Sequence, residues 1–137
     1  MFSLVVLLLS CNVINASTFA SRDTLKAGIY IKKAKQLTDS SKYDSSAYYY
    51  RLAAHEYKKA RVWEKYFSCL NNSITAARNM GQPKNLFTEA FSNLDESKKK
   101  FGENNKITGD CYNILGNIYS DMHNGHQGNQ RYDLGHS

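Results

Sequence analysis

Breakers and ligand clusters are scarce in this 137-residue chain. Pro83 is its one proline. Such a chain does not supply the frequent turns of a β sandwich, and helices remain as the way to satisfy its backbone. No apolar stretch reaches the roughly 20 residues that a membrane-crossing helix needs. There are three cysteines, Cys11, Cys69 and Cys111, and no pair is spaced for a zinc site or a CxxC redox couple. His55 stands apart from His123, His126 and His136 in the tail, where His-Asn-Gly-His has a metal-like look. No carboxylate or thiol accompanies it at fixed helical spacing, so no metal is expected. GxSxG, a phosphate loop and a Cys/His dyad are all missing. No catalytic residue and no cofactor are therefore expected.

What is present is basic and aromatic. The formal net charge is +6, with ten tyrosines and six phenylalanines. The basic residues run from Arg22 to Arg131, which describes a solvated surface better than a nucleic-acid stripe. Lys98, Lys99 and Lys100 form the one dense cluster, and cations near a helix C-terminus are favoured by the dipole. Cys69 and Cys111 fall on apolar helical faces and are expected as small buried hydrophobes. A disulfide between them needs Cα atoms within reach, which sequence alone does not establish.

Residues 2–9, Phe-Ser-Leu-Val-Val-Leu-Leu-Leu, suit a signal-peptide core. They end in Leu8-Leu9-Ser10-Cys11, which resembles a bacterial lipobox, and the resemblance implies that Cys11 is lipidated. Residues 1–11 would then be the signal, residues 12–23 a tether, and the localisation a membrane-anchored lipoprotein of the cell envelope. No Lys or Arg precedes Arg22, so the basic opening of a signal peptide is missing. Ordinary secretion to a periplasmic or external space, or a buried end, stay open.

From residue 24 apolar residues recur at helical spacing. Ala27, Tyr30, Ile31, Ala34 and Leu37 make the face of a first helix, broken at Asp39–Lys42. Asp44 or Ser45 is placed to cap a second, with Ala47, Tyr50, Ala53, Ala54, Tyr57 and Ala60 inward. A third is expected over 62–80 with Trp63, Tyr66, Phe67, Leu70, Ile74 and Ala77 inward, closed by Gly81. Pro83 opens a fourth, with Leu86, Phe87, Ala90, Phe91 and Leu94 inward, ending over 98–105. A fifth, over 107–122, carries Cys111, Ile114, Leu115, Ile118 and Tyr119. A sixth is weakened by Gly125, Gly128 and Gly135 and expected short or frayed.

The helix pairs repeat. Tyr30, Leu70 and Tyr112 correspond, as do Ala34, Ile74 and Gly116, then Leu37, Ala77 and Tyr119, at intervals of 40 and 42 residues. On the second helices Ser46, Leu86 and Gly128 correspond, then Tyr50, Ala90 and Tyr132, then Ala53, Asn93 and Gly135. With Tyr112, Leu115, Gly116 and Tyr119 in the last unit, the chain resembles the tetratricopeptide repeat family. The first two units depart from the pattern, with Lys33 and Ser73 at the leucine and Ile74 at the small residue. The resemblance covers residues 24–134, with units over 27–66, 67–108 and 109–137. It implies an all-α fold of stacked antiparallel hairpins, about five or six helices in a short right-handed superhelix. The long units resemble those of extracytoplasmic tetratricopeptide proteins of Bacteroidota, often input segments of regulators. Residues 50–63 also resemble the eukaryotic soluble NSF attachment proteins.

The family implies a non-enzymatic scaffold that holds a peptide or protein partner on its concave face. The outward positions there are Lys35, Asn71, Thr75, Arg78, Asn113 and Asn117, the expected partner-binding residues, with Asn113 and Asn117 foremost. The carboxylate clamp of chaperone-binding members is incomplete, because lysines are missing at the matching places. The alternatives are an input fragment of a larger sensor kinase or regulator, and a cytosolic attachment-protein-like adaptor. Neither nucleic acid nor a small-molecule ligand is expected.

Overall fold

The computed structural model describes residues 24–81 and 83–133, with side chains over 24–81 and 85–124. Cys11, the signal and tether segments, Gly135 and His136 lie outside what it describes, as does the side chain of His126. The chain is all α: α1 over 24–39, α2 (Tyr43–Lys59), α3 (Trp63–Arg78), α4 (Pro83–Phe101) and α5 (Lys106–Asp133). Among the described residues there is no strand. Connections of three or four residues leave consecutive helices as antiparallel hairpins.

The turns are built in two ways. Gly81 and Gly102 take φ of 79° and 83°, the left-handed conformation that glycine enters without a Cβ penalty. Gly81 thus closes α3 as the sequence predicts. Ser41 and Arg61 adopt the same region at φ 56° although neither is glycine. Each sits in a helix-terminating motif in which paired backbone bonds satisfy the last carbonyls. Ser41 N donates to Thr38 O and Lys42 N to Leu37 O, and the Arg61–Lys58 and Val62–Tyr57 bonds repeat this one hairpin later. Asp44 is not the cap of α2. Lys42 holds that place with no side-chain cap, and Asp44 lies in the first turn, where a carboxylate meets the positive end of the dipole.

Two apolar clusters form the core. The first joins Ala27, Ala53, Ala54, Tyr57, Tyr66, Phe67 and Cys69, with Phe101 and Ile107 packed against it. The second joins Ile74, Leu86, Ala90 and Ile118. Where helices cross closely, hydroxyls bond to the neighbouring backbone: Ser46 Oγ donates to Ala34 O at 2.9 Å and Ser73 Oγ to Ala47 O at 3.1 Å. Such bonds let a polar group lie in a packed interface without the cost of an unmade partner. The helix α3 is central. It packs on α2, α4 and α5 and shares the first cluster with α1.

Three expectations change. Phe91 and Tyr119, predicted inward, are 57% and 67% exposed. Asn93 is buried instead, because α5 lies over the side of α4 that carries it. Tyr112 and Gly116 are also exposed, because they lie on a side of α5 that neither α3 nor α4 covers. Finally, α5 does not stop at Met122 but continues to Asp133, so Gly128 and Tyr132 belong to it and not to a sixth helix. Glycine weakens a helix by about 1 kcal/mol without ending it, and no proline follows to do so.

Candidate functional site

Two surface grooves flank α3. Between α3 and α5 lies one of about 260 Å³, with Asn71, Asn72 and Thr75 on one wall and Asp110, Asn113 and Ile114 on the other. Ser68 and Ile107 complete it. The walls are amides and hydroxyls over isoleucine, so the groove offers donors and acceptors above an apolar strip. Its one charge is Asp110, tied to Lys106 at 2.7 Å.

The structure brings three of the six predicted residues together here: Asn71, Thr75 and Asn113. Thr75 is exposed and donates to Asn71 O at 2.9 Å, leaving its oxygen free to accept. Asn71 lines the groove but is buried, and its role differs from the one expected. Asn93 Nδ2 donates to Asn71 Oδ1 at 2.7 Å, and Asn71 Nδ2 reaches Cys111 Sγ at 3.5 Å. It is a junction of α3, α4 and α5. Arg78 is likewise engaged, in a bidentate ion pair with Asp121 whose Nη2–Oδ1 arm measures 3.0 Å. Lys35 and Asn117 are exposed and line neither groove. Ser68, Asn72 and Asp110 were missed, though they stand one helical turn from Asn71, Thr75 and Asn113 respectively.

The second groove, about 440 Å³, lies between α3 and α4. Tyr66, Leu70 and Ile74 face Thr88, Glu89, Ser92, Asn93 and Glu96 across it. Arg51 of α2 holds Glu89 from outside, at 3.2 and 2.9 Å to its two oxygens. Asn93 Oδ1 is buried with no partner.

The thiols are not arranged as nucleophiles. Cys69 is pushed up to about 11 by burial, opposed weakly by Lys65. Burial also raises Cys111, against hydrogen bonds from Ser97 and Asn71. Both are free, and both are protonated at neutral pH, when only a thiolate attacks or binds metal. Among the described residues no three His, Cys, Asp or Glu side chains gather as metal ligands. No described helix is long and apolar enough to cross a membrane. Compared with known proteins, the chain matches no family model, no curated protein and no solved structure.

Proposed function

We propose that the chain is a non-enzymatic scaffold of tetratricopeptide type that binds an extended peptide in the α3–α5 groove and is tethered to a membrane through Cys11. The observation that carries peptide binding is the lining of that groove, with Asn72, Thr75 and Asn113 ranged over Ile107 and Ile114. Side-chain amides pair with both the N–H and the C=O of a backbone, and isoleucines accept an apolar side chain. No cation lines the groove and Asp110 does, so its chemistry favours mid-chain backbone over a terminal carboxylate. The tether rests on the Leu-Leu-Ser-Cys sequence ending at Cys11.

Selection of a displayed peptide library on the full chain, followed by calorimetry, tests the groove. Selected peptides should lose about tenfold in Kd on the N72A/N113A variant, since each lost hydrogen bond contributes about 0.5–1.5 kcal/mol. Peptides that bind this variant and wild type alike sink the groove reading. The tether is tested by intact mass and membrane fractionation of wild type against Cys11→Ala. A soluble wild type that keeps residues 1–10 overturns it.

A further inference from the structure

Five helix ends meet at one end of the bundle: the starts of α1, α3 and α5 and the finishes of α2 and α4. Lys26 Nζ lies 3.3 Å from Glu56, joining α1 to α2. The Phe67 and Phe101 rings, 5.8 Å apart, join α3 to α4, and Ile107 packs on the same cluster. Lysines collect here because the last turns of α2 and α4 are the negative ends of their helix dipoles.

Many of these cations are already matched. Lys26 and Lys59 share Glu56, while Lys98 meets Glu103, Lys99 meets Asp95 and Lys106 meets Asp110. Four are not: among the described residues Lys58, Arg61, Lys65 and Lys100 pair with no carboxylate. Three of the four lie over aromatic rings. Lys100 Nζ is 3.9 Å from the Trp63 centroid, Lys58 5.3 Å from that of Tyr66 and Lys65 5.6 Å from that of Tyr57. Trp63 and Tyr66 contact edge to face, so the patch is continuous. Arg61 stands at the tip of the α2–α3 turn, exposed. Besides the paired carboxylates, Glu64 is exposed in the first turn of α3, and Glu96 accepts from the Tyr66 hydroxyl at 3.5 Å.

Ammonium groups held over ring faces are partly ordered, so less freedom is lost when an anion meets them. Half-buried Trp63 has the amphipathic character of residues found at headgroup level. The chain that enters α1 at this same end carries the apolar stretch 2–9. From this charge and placement we infer that the end bearing Lys58, Arg61, Lys65 and Lys100 docks on an anionic phospholipid surface. This contact is independent of lipidation at Cys11 and adds a second attachment to the same surface.

The test uses the full chain carrying Cys11→Ala, so that no lipid is attached in either arm, and phosphatidylcholine vesicles with and without phosphatidylglycerol. Binding should require phosphatidylglycerol and weaken as salt is raised. Each basic side chain at an anionic surface strengthens binding about fivefold. The K58Q/R61Q/K65Q/K100Q variant should therefore bind on the order of several hundredfold more weakly, with unchanged helical circular dichroism. K32Q/K33Q/K42Q, altered on α1 and its turn, should bind close to wild type. Equal binding to neutral vesicles, or undiminished binding by the quadruple variant, overturns the inference and assigns the contact to the apolar stretch. Salt-insensitive wild-type binding overturns it even if the variant misfolds. Tighter binding of single-stranded RNA through the same four cations also overturns it, as a nucleic-acid surface. With Cys11 replaced throughout, none of these results bears on its lipidation.

Discussion

Replacing Asn71 or Asn93 by leucine should have unequal effects, because the two amides are unequally satisfied. Asn93 is 4% exposed and Asn71 8%, and one hydrogen bond of 2.7 Å joins them. Asn71→Leu removes the acceptor from Asn93 Nδ2. That nitrogen keeps only Cys111 Sγ at 3.6 Å, a weak acceptor, and Asn93 Oδ1 already has no partner. Stranding a buried polar group costs about 1–3 kcal/mol, so with the lost bond the expected loss is about 2–4 kcal/mol. Asn93→Leu also breaks the bond, but it removes the orphan carbonyl. The Asn71 amide left behind lines the groove, is 8% exposed and keeps its contacts with Cys111 Sγ. Its cost should be about 1 kcal/mol or less. The double substitution removes every stranded atom and should fall within about 1 kcal/mol of wild type, a coupling of about 2 kcal/mol or more. Urea denaturation followed through Trp63, the single tryptophan, and by far-UV circular dichroism measures all four corners of the cycle. Equal losses for the two single variants, or a double variant that costs their sum, would refute this account of the network.

Ser41→Gly should stabilise by about 0.5–1 kcal/mol, since a left-handed non-glycine residue carries about 1–2 kcal/mol of strain and glycine returns part of that as unfolded-state entropy. Gly81→Ala should destabilise by a similar or larger amount, and thermal melts that order the pair otherwise count against the turn assignment. Glu56 is buried, and its carboxyl is held below the usual 4.5 by a hydrogen bond from Lys59, against burial, with Lys26 assisting. A carboxyl depressed in the folded state contributes stability above its unfolded value and loses it as the pH falls through the folded one. Wild type should therefore lose more melting temperature than Glu56→Gln on acidification from pH 7 to below about 4.5, and parallel profiles would remove Glu56 from the explanation.

The inner faces of α1, α2 and α3 were legible from apolar spacing. Ala27, Ala34, Ala53, Ala54, Phe67 and Ile74 lie inward as their spacing indicates. On α4 and α5 periodicity names an apolar stripe but not which edge the neighbour covers. That edge depends on contacts about 20 to 40 residues distant, such as Asn93 to Asn71 and Asn71 to Cys111. Hence Phe91 and Tyr119 came out exposed and Asn93 buried. Gly81 announced its turn by type, whereas Ser41 and Arg61 share its conformation without its residue. The repeat alignment placed Asn71, Thr75 and Asn113 together across two helices. It did not reveal that Arg78 is committed to Asp121, 43 positions on, because ion pairing across a stack leaves no mark in local sequence.

Asn71 belongs to the wall of one groove and Asn93 to the wall of the other, and each is the other's closest hydrogen-bond partner. The grooves are thus two sides of one partition. A ligand that draws the Asn71 amide toward itself takes the acceptor from Asn93 and changes the polarity offered on the far side. By linkage such an influence would be reciprocal: a ligand in the α3–α4 groove that displaced Asn93 would alter affinity in the α3–α5 groove by the same factor. Through this buried amide pair, two shallow surface features share one hydrogen-bonded wall.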